Sequence, residues 1–476
     1  MASTAHDVTQ RGLFLAGEWV ETGEWDEVLS PYSGEPVGRV ARGTAGHTRA
    51  AIDAAERAMS NPLPAYERAA ILDRIAIALG ERVEEGAKLI SAEAGKPIKV
   101  ARGEASRAVE TYIAAAVAAR TLTGETVPMD ASPAGEGKLA FTLRLPLGIV
   151  GAISPFNFPL NLVAHKLAPA LAAGCAVVLK PAPATPLSAL FLAEVSAQAG
   201  LPAGWLSVIC GPAAEIGDVL VDDERVKAIT FTGSGPVGWS LRERAPRKKV
   251  LLELGNSTPM IVAADGDLDA ASSAAAKYAF AFSGQTCISL QRVFVQRAVY
   301  DDFVAKLLPK VSELVVGDPA DESTDVGPVI DERSRDRILD WIASSGGEVL
   351  LGGELTDDGL IQPTVVASPN PEAQLSCAEA FGPVCTMQPY DTEDEAFELA
   401  NATPYGLHAG IFTRDLSLAL RAARVLEFGG VIVNDAPSIR MDHMPYGGIK
   451  ESGNTREGPA YAVRELTEER LVVIQT

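Results

Sequence analysis

Ile149-Val150-Gly151-Ala152-Ile153 is an unbroken apolar run, short enough to be a strand buried on both faces. Behind it the period keeps switching. Asn161 to Ala173 reads as a helix, Ala176-Val177-Val178-Leu179 as a strand, and Leu187 to Ala199 as a helix again. Leu206-Ser207-Val208-Ile209, Ala213 to Val221 and Ala228-Ile229-Thr230-Phe231 continue as strand, helix and strand. Such alternation, with strands this short and apolar, predicts a parallel sheet of the dinucleotide-binding type.

Upstream, residues 12–40 alternate short β-like runs with turn signals and read as hairpins. Thr48 to about Arg120 is helical and Ala-rich, broken at Asn61-Pro62 and at Gly95-Lys96-Pro97. Leu139, Phe141, Leu143 and Leu145 alternate as in an exposed strand that Pro146 ends. Downstream, a second α/β stretch runs from near Glu253 to about Asn434. The tail carries Leu471-Val472-Val473-Ile474, a strand whose apolar edge a monomer would leave open. With the 139–145 strand it predicts an intersubunit sheet.

A chain of 476 residues exceeds one compact core, so two or three domains are expected. A net charge of −21 argues against nucleic acid and anionic membrane surfaces as partners. Cys175, Cys210, Cys287, Cys377 and Cys385 form no CxxC pair, no metal-binding spacing and no disulfide framework. They predict reduced thiols in the cytoplasm. Met1 to Gly17 lacks the pattern of a secretory leader, and the apolar region 147–179 is too interrupted to cross a bilayer.

Two further motifs carry chemistry. Phe231-Thr232-Gly233-Ser234-Gly235 is a glycine turn between a strand and a helix, suited to a pyrophosphate but not spaced as GxGxxG. Phe282-Ser283-Gly284-Gln285-Thr286-Cys287 sets one thiol after a turn, with Glu253 some thirty residues upstream, a pairing for nucleophilic attack on a carbonyl. Taken with Pro155-Phe156-Asn157-Phe158-Pro159 and Glu379-Ala380-Phe381-Gly382-Pro383, their order and spacing resemble the NAD(P)-dependent aldehyde dehydrogenase superfamily over nearly the whole chain.

The resemblance implies an α/β fold in three parts. A Rossmann-type cofactor domain takes residues 1–122 and 146–252, an α/β catalytic domain 253–443, and a small β oligomerisation extension 123–145 and 464–476. It implies Cys287 as nucleophile, Asn157 as oxyanion donor beside the Cys287 backbone N–H, and Glu253 as the base that hydrolyses a thioester. Relatives that pass the acyl group to coenzyme A generally lack that base, so a free carboxylate is the expected product. The plainer readings are a helix-capping asparagine and a strand glutamate facing solvent.

The cofactor is expected along Ile153, Ser154, Phe156, Lys180, Ala182, Pro183, Phe231, Gly233, Ser234, Leu254, Glu379 and Phe381. Many NAD-specific relatives carry a glutamate where this chain has Pro183, so NADP or NAD is expected, with dual use open. The substrate tunnel is expected at Phe158, His165, Thr286, Ile288 and Tyr446, with Arg107, Arg440 and His443 about its mouth. Two arginines there suit a short polar or anionic aldehyde. Each alone has a plainer reading, as a side chain paired with a neighbour such as Glu104 or Glu110. A neutral lactaldehyde-type or broad aliphatic substrate is the alternative. The segment from Met441 to Gly458 resembles lactaldehyde-dehydrogenase-like members. Thr286 stands where phosphonoacetaldehyde-oxidising relatives tend to have a basic residue. A homodimer or homotetramer is expected. A cofactor-independent thiol esterase and a silent scaffold are the rivals from other classes.

Overall fold

The computed structural model describes residues 9–476, so expectations that fall on residues 1–8 lie outside it. Ile149–Ile153 is central to a seven-stranded sheet, pairing in parallel with Val177–Lys180 on one side and Val226–Thr232 on the other. Leu206–Val208 and Lys249–Glu253 extend the parallel part in the two directions. The strand order therefore reverses between Ile149–Ile153 and Val226–Thr232, a switch point where ligands bind beyond the carboxyl ends of the strands. The hairpin Leu13–Leu15 and Glu18–Val20 closes the far edge in antiparallel fashion. Trp25–Leu29 and Pro36–Ala41 form a separate small sheet with Thr9–Arg11.

The helix Asn161–Ala173 is buried along all thirteen residues, which its sequence allows by carrying only Asn161, His165 and Lys166 as strongly polar groups. The helical region upstream divides into Ala45–Met59, Ala65–Glu81, Val83–Ala94 and Ile98–Thr121. The break at Arg82 was not among the expected ones, although Gly80 stands two residues before it. Its guanidinium bonds Glu85 and Glu194 and lies 4.6 Å over the Phe191 ring, which holds the chain in a non-helical turn.

A second seven-stranded sheet runs Glu348–Leu351, Thr364–Ala367, Val384–Tyr390, Leu290–Gln296, Thr258–Val262, His408–Phe412 and Gly430–Val433. Only Glu348–Leu351 is antiparallel. The chain crosses from the first sheet to the second within Leu254–Ser257, so Glu253 is the last residue of the first sheet's edge strand. Arg292, fully buried, fixes this crossing by donating to the Ser257, Leu399 and Ala400 carbonyls. The helix Pro459–Glu465 then returns to the first core, where Val463 and Leu466 pack.

The tail strand Thr467–Gln475 pairs along its length with Lys138–Pro146 of the same chain, and Thr126–Val127 flanks the latter. The two segments read as an intersubunit sheet thus join first within one chain. Thr467–Gln475 is left as the edge, with Leu471, Val473 and Ile474 exposed. Among the described residues no helix is long and apolar enough to cross a membrane.

Candidate active site

Four of the expected site residues lie at or just beyond carboxyl ends of first-sheet strands. Lys180 and Glu253 end their strands, Gly233 follows Val226–Thr232, and Asn157 follows Ile149–Ile153. Cys287 arrives from the other sheet, three residues before Leu290–Gln296. Its loop is strained. Phe282, Ser283 and Gly284 have φ of 49°, 55° and 69°, a left-handed run that costs non-glycine residues about 1 kcal/mol or more each. Side-chain bonds hold it: Ser283 Oγ donates to the Gly327 carbonyl, Gln285 Nε2 to that of Pro328, and the Ile330 N–H to Gln285 Oε1. Asn157 Nδ2 donates to the Gln285 carbonyl at 2.9 Å, joining the two halves of the site.

Beneath Asn157 lies a buried ion pair, Lys96 with Glu104. The ammonium also donates to the Asn157 carbonyl at 2.8 Å and sits 3.6 Å from the Phe158 ring centroid. Glu104 accepts from the Leu160 and Asn161 N–H groups at the start of the buried helix. The pair is therefore satisfied on both sides, as a buried ion pair must be.

Cys287 Sγ is 2.8 Å from the Tyr446 hydroxyl. Burial pushes its thiol up to about 12, against the pull of Tyr446 and Arg440. Arg440 lies with its guanidinium 3.7 Å over the Tyr446 ring and donates to Glu457 at 2.8 Å. Lys166 donates to Thr232 Oγ1 at 2.6 Å and stands 3.7 Å from Glu457. Burial alone would raise the Glu457 carboxyl, but Arg440 and then Lys166 hold it low. Glu253 has the opposite fate. Neither of its oxygens finds a protein partner among the described residues, and burial, then the Glu457 charge, drives its carboxyl well above the usual range. The strand glutamate facing solvent is thereby ruled out.

A cavity of about 680 Å³ opens on Cys287 and is bordered by Phe158, Thr286, Ile288, Arg107, Arg440 and Tyr446. Arg107 pairs with neither Glu104 nor Glu110. Its guanidinium grips both oxygens of Asp442, at 3.0 and 2.9 Å. One expected tunnel residue, His165, and one expected mouth residue, His443, lie elsewhere. His165 is buried one helical turn behind the cavity wall, its Nε2 2.9 Å from Asp442 Oδ1. A helix buried on every side gives no sequence signal of which turn faces the cavity. His443 is exposed outside the cavity, because its neighbour Asp442 takes the inward position. Asp442 also accepts from Asn161 and is a hub that sequence reasoning missed, as it missed Lys96, Lys166 and Glu457. Each of the four has at least one partner distant in the chain: Asn157 for Lys96, Thr232 and Glu457 for Lys166, and Arg107 for Asp442. Burial alone would raise the Asp442 carboxyl, but His165 and Arg107 hold it well below the ordinary value.

The expected cofactor residues line the switch point. Ser154 Oγ is buried without a protein partner, and Lys180, nearly buried, donates only to its neighbour's carbonyl. Phe156 packs edge-on against Phe381, with centroids 5.8 Å apart. Ile153 and Phe231 sit in strand ends, Leu254 follows another, and Ala182 and Pro183 turn outward after Lys180. Ser234 precedes the helix Gly235–Arg244 without capping it by its side chain, leaving first-turn N–H groups for an anion. A Cβ on Gly255 would meet the Glu379 carboxylate at 2.5 Å, so the backbone there is pressed against that group. Burial pushes Glu379 up to about 7. These residues fit a dinucleotide.

The chain matches the model of the aldehyde dehydrogenase family over residues 19–472. It is 45% identical over 470 residues to the 3-sulfolactaldehyde dehydrogenase of Priestia megaterium, covering 98% of each chain. It is 39% identical over 472 residues to the lactaldehyde dehydrogenase of Methanocaldococcus jannaschii, covering 97% of this chain and 100% of that one. Among solved structures it is similar to the glyceraldehyde-3-phosphate dehydrogenase GapN of Methanocaldococcus jannaschii complexed with NADP. That match has a TM-score of 0.91 and 39% identity, covering 96% of this chain and 100% of that one. The chain belongs to the aldehyde dehydrogenase family.

Two outcomes follow from the geometry. Gly284→Ala sets a Cβ 1.9 Å from the Gly382 carbonyl at a left-handed φ, and is expected to destabilise by about 3 kcal/mol and abolish turnover. Thermal melting and steady-state rates check this. Lys166→Met removes a cation that lowers the Glu253 carboxyl. The acid limb of the kcat–pH profile is expected to move up by about one pH unit.

Proposed function

We propose that this chain oxidises a short anionic aldehyde to its carboxylate with NADP or NAD, through a thioester on Cys287. The observation that carries the substrate class is the charge at the cavity. Lys99, Arg107, Lys277, Lys310 and Arg440 border it; Lys99, Arg107 and Arg440 are paired with Asp325, Asp442 and Glu457, and Lys277 and Lys310 bond no carboxylate among the described residues, in a chain of net charge −21. Arg440 Nε–H is buried without a partner among the described residues, a donor left for an incoming anion. A sulfonate is the group that distinguishes the substrate named for the Priestia relative, and a phosphate that named for GapN. The lactaldehyde relative favours a second reading, in which a neutral hydroxyaldehyde is oxidised.

The chemistry assigns each residue one task. Cys287 adds as thiolate to the aldehyde carbon, and the second N–H of the Asn157 amide, with the Cys287 backbone N–H, receives the oxyanion. A nicotinamide dinucleotide, which Ser154, Lys180, Ser234 and Glu379 would hold, would supply the hydride acceptor. Glu253, in its ionised form, takes a proton from water as that water attacks the thioester. Because burial raises its carboxyl, this base form is gained as pH rises. Pro183 brings no carboxylate to the ribose side, which supports NADP as well as NAD.

On this reading residues 1–122 and 146–252 make the cofactor domain, 253–443 the catalytic domain, and 123–145 with 464–476 the assembly strands of a dimer or tetramer. The open edge of Thr467–Gln475 supports that role. The five thiols, all free, fit the cytoplasm.

The test is reduced-nicotinamide absorbance across short neutral, sulfonated, carboxylated and phosphorylated aldehydes. Anionic members are expected to exceed lactaldehyde in kcat/KM by about 10- to 100-fold, the equivalent of one charge-assisted hydrogen bond. Arg440→Ala should remove that preference, and Cys287→Ala all turnover. Equal loss for neutral and anionic aldehydes would favour the hydroxyaldehyde reading. Pro183→Glu should shift preference from NADP toward NAD by about tenfold in kcat/KM.

A further inference from the structure

We propose that Tyr446 is a catalytic residue: its hydroxyl donates a hydrogen bond to the Cys287 sulfur and holds it as thiolate, strengthened in that task by the Arg440 guanidinium on its ring face. The proposal rests on Cys287 being the nucleophile. Sequence reading gives Tyr446 only a place in the tunnel wall, and phenylalanine would fill a wall equally well.

The hydroxyl is 2.8 Å from Sγ, and Cys287 is its hydrogen-bond partner. The ring is only 2% exposed and is held on two sides. Arg440 lies 3.7 Å over its face, and the His408 ring meets it at 5.0 Å and 64°. Arg440 is itself fixed by Glu457, so the cation cannot drift from the ring. A cation over a phenol ring withdraws charge from the oxygen and makes its O–H a better donor.

The sulfur needs such a donor. Burial disfavours the thiolate, and a hydrogen-bond donor aimed at the sulfur favours it. Besides burial, Glu253 and Glu379 oppose ionisation, while Tyr446 and Arg440 favour it. The other charges around the cavity are engaged elsewhere: Glu104 with Lys96, Arg107 with Asp442, Lys99 with Asp325. Lys277 stands over the Tyr278 ring, and Lys310 bonds Ser272 and Ser273. Tyr446 itself is pushed well above its ordinary value by burial and by Cys287, so it keeps its proton and acts as donor. The thiol proton leaves to solvent in the cavity. The sulfur lone pair then forms the C–S bond as the carbonyl π pair moves to oxygen, and no proton passes to or from Tyr446.

The experiment is the pH dependence of Cys287 alkylation by iodoacetamide in full-length enzyme with NADP and no aldehyde. Tyr446→Phe keeps the ring between Arg440 and His408, and thermal melting together with NADP titration verifies its fold. The midpoint of the alkylation profile is expected to rise by about one pH unit or more, with about tenfold slower alkylation at neutral pH. The ultraviolet thiolate absorbance, taken against Cys287→Ala, should move with it. Arg440→Met should shift the midpoint in the same direction although the hydroxyl remains. Profiles of wild type and Tyr446→Phe that overlay would overturn the proposal while leaving Cys287 as nucleophile. Alkylation of Cys287 in wild type that leaves aldehyde oxidation intact would remove the nucleophile and this proposal together.

Discussion

One hydrogen bond spans the two sheets where the chemistry is expected: Asn157 Nδ2 to the carbonyl of Gln285, two residues before Cys287. Asn157, the proposed oxyanion donor, follows a strand of the first sheet, and the loop of Cys287, the proposed nucleophile, leads into the second. Neither sheet alone fixes their distance. Everything around this bond serves to hold its ends. The Lys96–Glu104 pair supports the Asn157 backbone and the start of the buried helix from below. Ser283 and Gln285 clamp the left-handed loop to residues 327–330. The strain in that loop persists because its surroundings over-determine it, as strained functional segments require.

Charge is handled by the same logic. Every strongly buried cation near the cavity has a named acceptor: Lys96 has Glu104, Arg440 has Glu457, Lys166 has Thr232 and Glu457. Removing one member of such a pair costs about 3–5 kcal/mol, because the other is then left uncompensated. Among the described residues Glu253 is the buried carboxylate whose two oxygens lack a hydrogen-bonding partner. Its neighbour Glu457 already commands the nearby cations, so burial dominates and Glu253 holds its proton at pH values where exposed carboxylates have lost theirs. A group poised in this way suits the proposed base, whereas Glu457 is held as a fixed charge by Arg440 and Lys166.

Much of this was legible from local pattern. Ile149–Ile153 and Asn161–Ala173 have the bounds that their apolar runs predict, since a fully buried element announces itself by composition alone. Cys287 stood out by the Gly284-Gln285 turn before it and its polar flanks, whereas Asn157 and Glu253 drew their roles from the resemblance of their motifs to the family. Long-range ion pairs did not. Asp442 lies between the two mouth residues singled out, Arg440 and His443, yet nothing in its neighbours says that it accepts from Arg107 and His165, hundreds of residues upstream. The hydroxyl of Tyr446 was invisible for a related reason. Its meaning lies in the sulfur it touches and the cation above it, and both are properties of the folded loop.

The central claim is that the aldehyde carbon becomes covalently bound to Cys287 before the product leaves. The most direct measurement is the mass of the Cys287 peptide from Glu253→Gln enzyme, quenched in acid after mixing with NADP and a sulfonated short aldehyde. The account predicts an added acyl group on that cysteine, with NADPH formed in comparable amount. NADPH formed with an unmodified Cys287 would contradict it.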